Sequence, residues 1–394
     1  MTAGAFAAGL QAGGVAVEDA GVIPTPAVAL LVRRLRFDLG ASISASHNPA
    51  RDNGVKLLGP DGEKAPDSFE RAIEAGLAAA RRARTGSDDS PAPGRLREGA
   101  AGEYVEALLE EFRGLRLKGL RVVVDGAEGA AGAVAPELLR RLGAEVHAIR
   151  CSGDGPHIND RCGALHPAPA GRAVRRRRAH LGMALDGDGD RLTLLDEKGA
   201  PRDGDDFLAA LAPRLRERGR LPGGAVVGTV MSNGGLDAHL ARHGIALLRV
   251  PVGDRHVARA LRGNGLALGA EPSGHVLAPR PGGLLTADGL VAAVWVMREM
   301  ARTKSPLSAL LRGFERAPRA EAAIEVARKT PIERVPALRA AIGAAEEAAG
   351  PGGRVLVRYS GTEPKIRILV ESPSRTAADR ACAAIAAAAK KSLG

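Results

Sequence analysis

Three aspartates at alternate positions, Asp186, Asp188 and Asp190, separated only by Gly187 and Gly189, constrain this chain more than any other feature. In extended backbone, residues two apart face the same way, so the three carboxylates converge. The intervening glycines allow the compact backbone such a loop needs. Apolar runs at 182–185 and 192–196 flank the segment and are expected as strands, which makes it a strand-to-strand loop. Crowded carboxylates repel unless a cation neutralises them, and oxygen ligands suit a hard ion such as magnesium. Two other readings stay open. A calcium EF-hand loop needs glycine where Arg191 stands, although Glu197 falls at its last ligand position. The other is an ordinary acidic turn.

At 394 residues the chain exceeds the roughly 250–300 at which single cores stop growing, so several domains are expected. Strand and helix patterns alternate along most of it. The fold class expected is α/β: three similar α/β domains with mixed sheets, then a C-terminal α+β domain, arranged around a central cleft. The expected boundaries are 1–97, 98–200, 201–317 and 318–394, the first set by a Gly/Ser/Asp/Pro linker at 85–95. A helix is expected over 27–36 with Thr25 as its cap and Pro26 early in it, and a strand over 41–44. Further strands are expected at 121–125, 144–148, 225–229, 246–250 and 266–270, and in the last domain at 322–326, 353–359 and 365–370. The glycines Gly126, Gly129 and Gly132 read as close packing at a βα turn.

Three further segments carry chemistry-bearing side chains. In Ser44-Ala45-Ser46-His47-Asn48-Pro49 a serine at a sharp turn is open to attack, with His47 and Asn48 beside it. Lys56, close by, can stabilise anionic oxygens or move a proton. Alone, this segment reads as a plain polar turn. Glu271, Ser273 and His275 alternate after a strand and can present a carboxylate, a hydroxyl and an imidazole to sugar hydroxyls. Arg358, Ser360, Gly361 and Thr362, with Arg367 beyond, make a phosphate cradle of hydroxyls, backbone N–H groups and a guanidinium fork. A hairpin turn accounts for the same residues, and no nucleotide P-loop signature is present.

The formal net charge is +11, which favours anionic partners. Aromatic residues make up only 2% of the chain, too few for the stacking platforms of a nucleic-acid surface, and the run Arg175-Arg176-Arg177-Arg178 reads as a solvated helix face. Cys151, Cys162 and Cys382 are too scattered for a disulfide framework or a CxxC metal site. No apolar run reaches membrane-spanning length, and a cytoplasmic location is expected without nucleic-acid or membrane partners.

Taken together and in this order, the four segments resemble the signature loops of the α-D-phosphohexomutase family, and the likeness runs from about Ala3 to the last strand. Within the family, residues 158–163 with His166 and Pro167, residues 228–233 and residues 252–255 are most similar to the bacterial phosphoglucosamine branch. The sugar loop departs from that branch in having Pro272 where glutamine is usual.

The resemblance implies an intramolecular phosphotransferase that interconverts glucosamine 6-phosphate and glucosamine 1-phosphate for cell-envelope aminosugar synthesis. It assigns Ser46 as the phosphorylated serine and Ser46, Asp186, Asp188 and Asp190 as ligands of one Mg2+, with Arg191 trailing the loop. Glu271, Ser273 and His275 fall to sugar recognition, and Arg358, Ser360, Gly361, Thr362 and Arg367 to phosphate. Lys56 and His275 are candidates for proton transfer, and a sugar 1,6-bisphosphate is the implied intermediate and activator. A mutase preferring mannose or glucose phosphates and a non-catalytic phosphosugar-binding paralogue stay open, as does a homodimer. Family members carry a Gly-Thr-x-Gly-x-Arg-Gly segment before the point where this sequence starts. The implied expectation is an N-terminally truncated first domain and a poorly active or unstable chain.

Overall fold

Val122, Val123 and Val124 lie at the heart of Arg121–Asp125, a strand with almost no exposed surface, and such a run belongs inside a sheet covered on both faces. The structure is a computed structural model that describes residues 3–83, 94–350, 352–360 and 363–394. The chain divides into two compact units, Met1–Thr229 with Val250–Arg312, and Val230–Arg249 with Gly313–Gly394.

In the first unit Arg121–Asp125 is second in a five-stranded sheet, beside Glu145–Ile149 on one side and Leu181–Leu185 on the other, all parallel. Leu192–Leu195 then returns antiparallel to Leu181–Leu185, and Pro201–Arg202 follows antiparallel to it. The sheet is therefore mixed, and the aspartate segment is the connection of its antiparallel hairpin. Helices Ala131–Arg141 and Ala168–Arg177 carry the crossovers; Ala170, Ala173 and Val174 pack on Val123, Ala184 and Leu195. The arginines expected on a solvated face end the second of these helices, and Arg178 follows it in left-handed conformation.

The serine segment follows Gly40–Ser44, which pairs antiparallel with Gly54–Leu58. The chain enters a strand at Gly54, and the register sets Lys56 opposite Ser42. A second short hairpin, Gly269–Ala270 with Val276–Leu277, holds the segment containing Glu271 and His275. The strand expected over 266–270 is confined to its last two residues, because Leu266 is drawn into an apolar cluster with Val257 and Leu261. Gly269 pairs parallel with Val227 of Ala225–Thr229.

The second unit contains a three-stranded antiparallel sheet with Lys365–Glu371 between Arg319–Glu325 and Arg354–Tyr359. Helices Pro336–Ala349 and Arg375–Leu393 pack on it through Leu338, Ile366, Ile368, Val370 and Ile385. This is the α+β character expected of the C-terminal region. The 85–95 linker lies outside the described residues up to position 93. Among the described residues, no helix is long and apolar enough to cross a membrane.

Candidate active site

Asp186, Asp188 and Asp190 are each at most 2% exposed, and one oxygen from each lies within 4.8 Å of the others. The hairpin forces this convergence, and its glycines permit it. Gly189 has φ +74°, where a side chain is strained, and a Cβ at Gly187 would stand 2.6 Å from the Ser46 carbonyl oxygen. Gly187 also donates its N–H to that carbonyl at 3.1 Å. The serine loop and the aspartate loop therefore meet backbone to backbone.

Ser46 itself is left-handed, with φ +53°, a conformation that costs a non-glycine residue about 1 kcal/mol or more. Its N–H donates to Ser44 Oγ at 3.0 Å, and its carbonyl also accepts from Asn159 Nδ2 at 2.8 Å. The hydroxyl so presented is 3.5 Å from Asp186 Oδ2 and 3.3 Å from Lys56 Nζ. Lys56 reaches further, to Asp188 Oδ2 at 2.5 Å and Asp190 Oδ2 at 2.6 Å. Burial works against its charge, but Asp190 and Asp188 outweigh that and raise its pKa, so Lys56 is an ammonium.

Thr25, expected to cap its helix, makes no such bond; the helix runs Thr25–Leu35 behind Pro24. Its hydroxyl donates to Asp188 Oδ2 at 2.6 Å and lies 2.7 Å from Ser42 Oγ, while its N–H donates to the Asp188 carbonyl at 2.9 Å. Asp188 captures the hydroxyl because a buried carboxylate needs charge-assisted donors.

The Lys56 ammonium pairs with Asp188 and Asp190 and not with Asp186. Burial and the neighbouring Asp190 and Asp188 push Asp186 well above the ordinary carboxylate range. Asp188 Oδ1 is buried without a hydrogen-bond partner. An orphaned carboxylate oxygen beside two others is the donor set of a hard divalent cation, and these residues fit one.

His275 closes the site from the second hairpin. Its Nε2 is 3.3 Å from Asp190 Oδ1, and its Nδ1 is 3.1 Å from Glu271 Oε2. Burial alone would lower its pKa, but Asp190 and Glu271 push it up to about 9. Glu271 is only 1% exposed and spends its other oxygen on the Gly253 N–H at 2.8 Å. Ser273 is exposed, with Oγ 3.5 Å from His275 Nδ1. Arg191 donates its backbone N–H to Asp186 Oδ1 at 3.1 Å, and its Nε lies 4.0 Å from Asp186 Oδ2. His47 is half-buried with Nδ1 unpartnered; burial, then Arg191, lowers its pKa, so it is neutral.

The expected phosphate residues lie in the second unit. Arg358 and Arg367 are cross-strand partners lining a cavity of about 250 Å³. Like charges directly opposite repel unless an anion joins them. Arg367 also reaches Glu363 at 2.7 Å. Ser360 is buried; its Oγ accepts from the Glu363 N–H at 3.3 Å, and its carbonyl accepts from Lys329 Nζ at 2.7 Å. Gly361 and Thr362 lie outside the described residues.

Sequence models of the phosphoglucomutase/phosphomannomutase domains match along the chain: alpha/beta/alpha domain I at residues 1–84, domain II at 100–199, domain III at 203–317 and the C-terminal domain at 321–388. A phosphoglucosamine mutase from Rhodospirillum centenum is 47% identical over 376 residues, covering 93% of this chain and 79% of that protein. The chain belongs to the phosphoglucomutase/phosphomannomutase family. A family member from Burkholderia thailandensis of known structure is 26% identical, with a TM-score of 0.77 over 98% of this chain and 85% of that one. Aspergillus fumigatus N-acetylphosphoglucosamine mutase, solved with GlcNAc-6P and magnesium, shares the fold with a TM-score of 0.72 at 20% identity, over 94% and 93% of the two chains.

Thr25 and Asn159 are the functional candidates that motif reading passed over. Thr25 stands before a proline and looks like a helix signal. Asn159 sits inside the 158–163 segment that carried the family likeness, yet its spacing gave no sign of its target at Ser46.

Proposed function

We propose that this family member is a phosphoglucosamine mutase, interconverting glucosamine 6-phosphate and glucosamine 1-phosphate through a phosphoserine at Ser46 and a bisphosphorylated sugar. The observation that carries the reading is the meeting of the Ser46 hydroxyl with Lys56 and the Asp186 carboxylate, the latter 140 residues away in sequence. Similarity to phosphoglucosamine mutases such as that of Rhodospirillum centenum supports the choice of sugar. Four domains divided at 1–97, 98–200, 201–317 and 318–394, and a cytoplasmic location, belong to the same proposal.

In this reading phosphoserine gives up its phosphoryl group to the free hydroxyl of the sugar phosphate. The bond from phosphorus to Ser46 Oγ breaks, a bond from phosphorus to the sugar oxygen forms, and the hydroxyl proton leaves to a base. After the bisphosphate turns over, its other phosphate returns to Ser46. Asp186, Asp188 and Asp190, with the phosphoserine, would hold one Mg2+, which neutralises charge on the transferring group when bound. Lys56 stands at Ser46 Oγ as a charged donor, suited to protonating the departing oxygen. His275 is the second proton-transfer candidate, oriented by Glu271. That contact, with the Gly253 bond, supports a positioning role for Glu271 beside sugar recognition shared with Ser273. Arg358, Ser360, Gly361, Thr362 and Arg367 would hold the phosphate that is not reacting, and His47 and Arg191 would shape the serine and aspartate loops.

The test is intact-mass analysis after incubation with a sugar 1,6-bisphosphate. One phosphate should appear on the wild-type chain and none on Ser46→Ala. An unphosphorylated wild-type chain would favour the non-catalytic paralogue. A coupled assay across glucosamine, mannose and glucose 6-phosphates decides the sugar, where Pro272 is the residue that departs from the expected branch.

A further inference from the structure

The first unit holds a cavity of about 230 Å³ that shares no lining residue with the candidate active site. Its lining combines apolar Phe112, Leu215 and Trp295 with cationic Arg218, Arg220 and Arg298. The two acidic residues of the lining are already engaged. Glu111 pairs with Arg280 at 2.8 Å, and Glu299 pairs with Arg218 at 2.8 Å and Arg302 at 3.0 Å. Arg220 and Arg298 have no side-chain hydrogen bond or ion pair among the described residues. Arg298 is half-buried as well, and its pKa is lowered, first by burial and then by the neighbouring Arg220 and Arg218, against the opposing pull of Glu299. A partly desolvated guanidinium that no carboxylate meets in a hydrogen bond or ion pair is costly. Such a cost is offset when an anionic ligand occupies the space.

We infer that this cavity binds a small amphipathic anion, a phosphate or carboxylate carrying an apolar body, with Arg220 and Arg298 on the acid group and Trp295 against the body. Two guanidiniums suit a doubly charged oxyanion, and the Trp295 ring offers an apolar and cation-tolerant wall. The cavity is small for a drug-sized ligand, which limits the body to about one ring or a short branched chain. Its lining includes Leu268 and Ala278, which flank the hairpin strands Gly269–Ala270 and Val276–Leu277. The site goes beyond the mutase reading and does not depend on it.

Trp295 is the single tryptophan of the chain and therefore a built-in reporter. Phenyl phosphate titrated into the full chain should change its fluorescence saturably. Arg220→Ala, at an exposed position, and Arg298→Lys should each raise the midpoint several-fold, and the Arg220→Ala/Arg298→Met pair about tenfold or more. Ser46→Ala and Asp188→Asn should leave the midpoint unchanged. Phenol and inorganic phosphate, each carrying half of the recognised chemistry, should bind at least tenfold more weakly. A flat titration overturns the inference, as does a midpoint indifferent to both arginines or one lost with Asp188→Asn. Inorganic phosphate binding as well as phenyl phosphate overturns the amphipathic assignment.

Discussion

The side-chain amide of Asn159 donates to the main-chain carbonyl of Ser46 at 2.8 Å, across 113 residues of sequence. The same nitrogen reaches the Asn48 carbonyl at 2.8 Å, so one side chain ties both ends of the serine turn. Ser46 holds a left-handed backbone that few non-glycine residues adopt, and that conformation persists only when its surroundings impose it. Asn159→Ala removes both bonds, a loss of roughly 1–3 kcal/mol in loop positioning. The expected result is a kcat reduced about tenfold or more, with KM for the sugar phosphate little changed and the melting temperature nearly so. Single-turnover phosphorylation of Ser46 should slow in parallel; an unchanged rate would remove Asn159 from the positioning role.

Lys56 supplies the positive charge that holds Asp188 and Asp190 together in the absence of a divalent cation. Lys56→Met keeps the stem and removes the charge. Breaking a largely buried ion pair from one side costs about 3–5 kcal/mol, an upper figure here because Lys56 is 24% exposed. In EDTA the variant should melt several degrees below wild type, and millimolar Mg2+ should recover much of the difference. Equal losses with and without Mg2+ would mean that the carboxylates do not share a cation site.

The chemistry of this site was legible because most of it sits in contiguous segments. Asp186, Asp188 and Asp190 alternate within one loop, and Glu271 and His275 within another, so local periodicity sufficed. What joins the segments was not legible. Thr25 carries the residue type of a helix cap, yet a carboxylate 163 residues away takes its hydroxyl, a choice made by burial. From sequence Lys56 was only a residue close to Ser46 along the chain. The Gly40–Ser44 and Gly54–Leu58 pairing that aims it across the aspartates depends on register, which short mixed segments specify weakly. The fold class followed from alternating strand and helix patterns, whereas the 266–270 strand failed because an apolar run fits a packed loop as well as a sheet.

His275 gives the metal-free site a pH dependence. Its pKa in the folded chain is raised to about 9 from 6.5, so its ion pairs contribute stability that is fully present below about pH 6.5. That contribution is lost as pH rises through about 9. Urea denaturation in EDTA of wild type and His275→Gln should therefore differ most near pH 6 and converge by about pH 9.5. A gap that widened with pH would contradict the charged pairing with Asp190 and Glu271.

Gly129 tests the backbone contact on which the aspartate loop rests. A Cβ there would stand 2.2 Å from the Gly187 carbonyl oxygen and 2.6 Å from its Cα, distances that rigid backbone on both sides cannot relieve. That same Gly187 carbonyl accepts the Ala130 N–H at 2.9 Å, so the βα turn and the loop are fastened together. Gly129→Ala must push them apart, at a cost of about 1–3 kcal/mol of overpacking. Because Gly187 also carries the bond to the Ser46 carbonyl, the displacement should reach the serine. The expected variant folds with a lowered melting temperature, binds Mg2+ at least several-fold more weakly by calorimetry, and phosphorylates Ser46 slowly. Gly143→Ala is the comparison: it is strained by its φ of +96° but meets no atom closer than 3.5 Å. It should lose stability while keeping Mg2+ affinity. If the two variants lose Mg2+ affinity alike, general destabilisation explains the result and the Gly129–Gly187 contact has no special hold on the site.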